Sequence, residues 1–224
     1  MNVMNVMPTL SLSAAGPVNE AGDPVHCRQG DLDGACGPYS LIMALIAAGL
    51  VRREEVEYGS LSDGRTRLGK FQSRLRDFGG LITEGTDEFE LDWLVDCFRS
   101  QISVDYIEGT TRELVAGAVE AIGNQQSTIV GVDWTGGNGH WLLVVGYQGQ
   151  RVKDPSGVER EVVTHLLCLD PFIEAPRVSL WNAVLQVQTE DGQVVNAGRY
   201  PTNHWGGIEA SKCRITNGIV IGRR

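Results

Sequence analysis

The most apolar stretch of the chain runs from Cys36 to Leu50. Leu41, Ile42, Leu45, Ile46 and Leu50 fall at helical spacing, and Met43, Ala44, Ala47 and Ala48 fill the positions between them. A helix that is apolar all round is a buried one, so the pattern predicts a central helix. Gly34 and Gly37 bracket its start. Arg65 to Phe78 predicts a second helix, stopped by Gly79-Gly80. Residues 87 to 99 predict a third, with Asp87, Glu88 and Glu90 in its first turn, where the helix dipole favours negative charge. Thr110 or Thr111 caps a fourth, which runs to about Ile122 ahead of Gly123-Asn124.

The pattern then shifts to strands. Thr128 to Trp134, Trp141 to Tyr147 and Glu161 to Leu169 are short, apolar and rich in β-branched residues. Smaller pieces follow at Val184 to Val187, at Val194-Val195 and at Ile215 to Ile221, the last holding an Asn217-Gly218 hairpin signal. Gln150 to Thr164 reads as an inserted hairpin or loop with a turn at Asp154-Pro155-Ser156-Gly157. Helices first and strands afterwards predict an α+β domain with a mainly antiparallel sheet, or two lobes of those types. Residues 1 to 24 are rich in Ser, Ala, Gly, Pro and Asn and read as a flexible leader, followed by a single domain over 25–224.

Composition narrows the function. The 224 residues can bury a core without staples. A formal net charge of -9 argues against nucleic-acid phosphates and anionic membranes as partners. No apolar run is long enough to span a bilayer. The N-terminus lacks the charged start and continuous apolar core of a secretory signal, so cytoplasmic synthesis is expected, with a specialised export route left open. Five cysteines, an odd number in a chain of this size, do not suggest a disulfide framework. Cys97 and Cys168 sit in apolar runs and read as small core residues, and Cys213 reads as structural.

Cys36 is different. It opens the buried helix in Gly34-Ala35-Cys36-Gly37-Pro38-Tyr39. A thiol at a helix N-terminus faces the positive end of the dipole, which favours the thiolate. His140 opens a strong apolar strand in Gly139-His140-Trp141-Leu142-Leu143, a rigid yet reachable place for a general base. Leu166 to Leu169 ends in Asp170-Pro171, where a carboxylate can orient an imidazole. Asp154 is the rival orienter; Asp170 is preferred because it ends an apolar strand. Gln29, upstream of Cys36, can donate to an oxyanion beside the Cys36 backbone N–H.

The run Cys36-Gly37-Pro38, the run Gly139-His140-Trp141-Leu142-Leu143-Val144-Val145-Gly146-Tyr147 and the run Leu169-Asp170-Pro171 together resemble papain-like cysteine peptidases. The nearest likeness is to the bacterial branch that includes the bacteriocin-processing peptidase domains of ABC transporters. The resemblance covers about residues 25 to 175. It implies a papain-like fold, with Cys36 as nucleophile, His140 as base, Asp170 as orienter and Gln29 as oxyanion donor. Gln29 lies seven residues before the cysteine, where the family has six, and one residue of offset reverses a side chain in extended backbone. The implied activity is a cysteine peptidase acting on a protein or peptide, without a cofactor. Related domains serve as antibacterial effectors, which extends the expected partners to a cognate inhibitor or immunity protein. Glutamine deamidase, transglutaminase and acyltransferase chemistry use the same three residues, and a non-catalytic binding module of the same fold is a further alternative.

The remaining polar residues have plainer readings. His26, Cys27 and Cys36 lack metal-ligand spacing. His165 and His204 have no partner pattern and read as structural or exposed. Trp141 and Trp205 read as core aromatics, with shielding of the imidazole as the alternative. Asp31 and Asp33 form a negative rim near the thiol or a solvated loop.

Overall fold

The computed structural model describes residues 1–30, 34–57, 63–77, 85–153, 156–206 and 209–224. Its helices are α1 (Cys36–Ala47), α2 (Arg53–Glu57), α3 (Arg67–Asp77), α4 (Glu88–Val95) and α5 (Thr111–Gly123). The strands are β1 (Asn2–Val6), β2 (Ser11–Ser13), β3 (Gly16–Val18), β4 (Ile102–Ile107), β5 (Ser127–Trp134), β6 (Gly139–Lys153), β7 (Glu159–Leu169), β8 (Ala183–Gln186), β9 (Thr202–Trp205) and β10 (Ser211–Arg223).

Six strands close into an antiparallel barrel in the order β6-β5-β10-β9-β8-β7, with β7 returning to β6. Closure removes the open edges that a flat sheet of these apolar strands would expose. β1 adds to β6 and β4 adds to β10 outside the ring. The helices cover one side, and α1 is buried along almost its whole length, as its all-round apolar sequence requires. Ser40 Oγ donates to the Trp141 carbonyl at 3.1 Å, and Trp141 Nε1 donates to the Thr86 carbonyl at 2.7 Å. The first bond fixes α1 against the start of β6, beside His140, and the second ties β6 to the segment that leads into α4. Gly37 is held to glycine by packing: a Cβ there would lie 2.9 Å from Thr86 Cβ and 3.1 Å from Leu91 Cδ2.

The two longer capped helices follow local rules. Asp87 and Glu90 form a reciprocal capping box on α4, and Thr110 and Glu113 form one on α5. Asp96–Phe98 continues α4 as a 3-10 turn.

Several expectations change. The stretch read as a flexible leader is not a free tail. β1 pairs antiparallel with Gly146 to Gln150 of β6, β2 and β3 form a hairpin, and Met7 and Leu10 are buried in the core. The approach of β1 is so close that a Cβ at Gly146 would lie 2.4 Å from the Asn5 carbonyl oxygen. Strand β4, between α4 and α5, interrupts the expected order of helices before strands. Asn217-Gly218 makes no turn. Neither residue has the positive φ that a two-residue hairpin needs, and β10 runs straight through with an irregularity between Ile215 and Asn217. Asn217 instead donates its amide to Glu88 Oε2 at 2.9 Å. Val194-Val195 lies outside the strands. Gln150 to Thr164 is the long β6–β7 hairpin, paired as far as Lys153 with Glu159.

Candidate active site

Cys36 occupies the first position of α1, preceded by Ala35, which has no side chain to cap the helix. Tyr39 N–H donates to the Ala35 carbonyl at 3.0 Å and starts the helical ladder. The Cys36 side chain is buried, its Sγ lies 4.0 Å from the Gly34 carbonyl oxygen, and it is close enough to His140 to act on its charge. His140 begins β6, pairing with Val132 of β5. Its Nε2 donates to Asp170 Oδ1 at 2.8 Å, which leaves Nδ1 for the thiol.

Asp170 follows directly on β7, whose Leu169 pairs with Leu143 of β6. The acid and the imidazole therefore leave adjacent strands. The backbone of Asp170 is clamped on both sides: its N–H donates to Asn182 Oδ1 at 2.7 Å, and its carbonyl accepts from Asn182 Nδ2 at 3.0 Å and from His26 Nε2 at 3.0 Å. The carboxylate is 2% exposed. Oδ1 also accepts from the Phe172 N–H at 2.8 Å, and Oδ2 accepts from His204 Nε2 at 3.1 Å.

These contacts set the electrostatics. Burial opposes charge on Asp170, but hydrogen bonds from His140, His204 and Phe172 and the charge of His140 outweigh it and hold the carboxyl far below its ordinary range. Burial likewise opposes the imidazolium of His140. Hydrogen bonds to Asp170 and Cys36, with the charges of both, overcome that and raise His140 from 6.5 to about 9. The other cysteines are held as thiols by burial. Burial pushes Cys27 up to about 11, against the pull of Arg53, and Cys213 up to about 12. Burial also raises Cys168 well above its ordinary value, and Cys97 is raised by burial as well. All five cysteines are free thiols.

Three of the sequence-predicted residues, Cys36, His140 and Asp170, are thus one connected set. Gln29 lies close by: its N–H donates to the Pro171 carbonyl at 2.8 Å, which runs the segment before α1 alongside the acid. The rival orienter Asp154, with Asp31 and Asp33, lies outside the described residues. Arg28 pairs with Glu174 at 3.1 Å.

Two neighbours were not expected from sequence. His204, on β9, is buried against Asp170 rather than exposed. Trp134, on β5, packs its ring against both imidazoles, 5.2 Å from that of His140 and 5.7 Å edge-on from that of His204. Trp141 points away to Thr86, and Trp205 is largely exposed. The register contained the signal for Trp134. Val132 lies opposite His140, so Trp134, two residues on, projects from the same face.

A cavity of about 730 Å³ opens beside the base and the acid, lined by His140, Asp170, His204, Trp134, Phe172 and Ile173. A second cavity, of about 480 Å³, lies at the far end of α1 around Ala47 and Arg223 and contains none of these groups. Among the described residues, no cluster of His, Cys, Asp and Glu is arranged to hold a metal ion, and no helix is long and apolar enough to cross a membrane. No protein-family model matches this chain, and no curated protein matches it.

Proposed function

We propose that this chain is a thiol hydrolase of papain-like architecture that cleaves a peptide bond in a protein substrate. The observation that carries the reading is the 2.8 Å bond from His140 to Asp170, on an imidazole that also interacts electrostatically with the thiol at the N-terminus of a buried helix. The helix that presents the thiol packs on the strand that begins with the base, and the acid follows the neighbouring strand.

In the proposed reaction, His140 takes the proton of Cys36 and Asp170 stabilises the resulting imidazolium. The thiolate attacks the substrate carbonyl, and the backbone N–H of Cys36 with the amide of Gln29 holds the oxyanion. His140 returns its proton to the leaving amine, which departs as the acyl-thioester forms. Water, deprotonated by His140, then releases the acyl group as a carboxylic acid and restores the thiol. The high value of His140 suits this cycle because it keeps the acid form available to the leaving amine at neutral pH.

The test is to incubate the chain with β-casein and with a mixed bacterial protein extract, then to read intact masses and new N-termini. Fragments that are absent with Cys36→Ala support a peptidase. A gain of about 1 Da per glutamine, or cross-linked species, transfers the same acyl-thioester to deamidase or transglutaminase chemistry. Identical products from the parent and Cys36→Ala contradict the proposal.

A further inference from the structure

His204 stands on the far side of the acid from His140. Each imidazole takes one carboxylate oxygen: His140 Nε2 meets Oδ1 at 2.8 Å and His204 Nε2 meets Oδ2 at 3.1 Å. Among the described residues, no other donor reaches Oδ2. The strand that carries His204 is well anchored, since β9 lies between β8 and β10, with His204 opposite Leu185 on one side and Ser211 on the other. The ring is confined from both sides. Trp134 meets it edge-on, and Gly206 passes so close that a Cβ there would lie 2.6 Å from His204 Cε1 and 3.0 Å from Nε2. The absence of a side chain at position 206 is therefore what allows this ring orientation.

We infer that His204 is a positioning residue that completes a four-membered set, Cys36–His140–Asp170–His204. A buried carboxylate with one oxygen unpaired would bear the desolvation cost of that oxygen. It could also rotate about its last side-chain bond and move Oδ1 off the line to His140. The His204 N–H satisfies Oδ2 and locks the carboxylate plane, so that Oδ1 faces His140 Nε2. That in turn aims His140 Nδ1 at the thiol. His204 acts through Asp170 and His140, and it need not touch the substrate. The inference rests on the proposed role of Cys36, His140 and Asp170 and adds a fourth member to it.

The test measures the rate of Cys36 alkylation by iodoacetamide between pH 5 and pH 10, on the parent, His204→Leu and His204→Gln. Glutamine retains an amide N–H able to reach Oδ2, whereas leucine fills the space without a donor. The expected result is a fall of about 10-fold or more near pH 6.5 for His204→Leu, a displaced pH profile, and a rate within about 3-fold of the parent for His204→Gln. A His204→Leu profile that superimposes on the parent overturns the inference, as does a glutamine variant no better than leucine. A second measurement does not depend on the variants folding. Imidazole 15N–1H spectra of the parent at pH 7 are expected to show His204 with its proton on Nε2, protected from exchange; a proton on Nδ1 alone overturns the inference. A parent Cys36 no more reactive than Cys97 would instead reject the underlying reading of the thiol, and the two failures are distinguishable.

Discussion

Replacing Asp170 by asparagine removes the charge that His140 depends on while nearly preserving shape. In the parent, His140 stands at about 9, against an ordinary value of 6.5, with the hydrogen bond and charge of Asp170 chief among the contributions that raise it. Without that charge only Cys36 is left to offset the burial that opposes protonation of the imidazole, so the imidazole's value falls toward the ordinary 6.5. The transfer of a proton from Cys36 to His140 has an equilibrium constant set by the difference between the two groups. A full drop from about 9 to 6.5 would lower the thiolate–imidazolium population relative to the neutral pair by roughly 300-fold, about 3 kcal/mol, and the part of the shift that Cys36 supplies keeps the expected loss below that bound. The assay is iodoacetamide alkylation of Cys36 across pH, with peptide mapping to assign the site. The parent is expected to react well below pH 8, through the ion pair. Asp170→Asn is expected to lose about 10- to 100-fold at pH 6.5 and to recover at high pH, where the free thiolate forms without help. A variant whose profile stays within about 2-fold of the parent at pH 6.5 would refute the reasoning, because the carboxylate would then not govern the imidazole.

Other consequences follow from the same geometry. His140 is raised on folding, so its contribution to stability is complete below pH 6.5 and is lost as pH rises through about 9; denaturant melts should show the parent losing about 3 kcal/mol over that window, and Asp170→Asn losing much less. Gly37→Ala places a methyl 2.9 Å from Thr86 Cβ, and overpacking of this kind costs about 1–3 kcal/mol, seen as a lowered thermal midpoint together with slower Cys36 alkylation. Gln29→Ala should lower the turnover of a cleaved substrate by about 10²-fold while leaving the alkylation rate within about 2-fold, since alkylation forms no oxyanion.

The parts of the site that were legible in the sequence are those fixed by local physics. Cys36 announces itself because a polar, nucleophilic residue opens the one helix that is apolar all round. His140 and Asp170 stand at the ends of the two most apolar strands, and antiparallel neighbours bring such ends together. The contribution of His204 was not legible. β9 is Thr-Asn-His-Trp, with little apolar alternation, and its place beside Asp170 comes from barrel closure between β8 and β10. The N-terminal segment misled for a related reason. Asn2 and Asn5 break its apolar pattern, yet it is held by backbone pairing to an edge of β6, which no side-chain pattern reports. Asn217-Gly218 carried a real turn signal that tertiary pairing on both sides of β10 overrode.

The central claim is that Cys36, alone among five thiols, is activated by His140. It is tested most directly by treating the native chain at pH 6.5 with substoichiometric iodoacetamide and mapping the labelled peptides. The account predicts label on Cys36 at least about 10-fold above that on Cys97, Cys27, Cys168 and Cys213, and loss of that preference in His140→Ala. Label spread according to exposure, with half-buried Cys97 first, would contradict it.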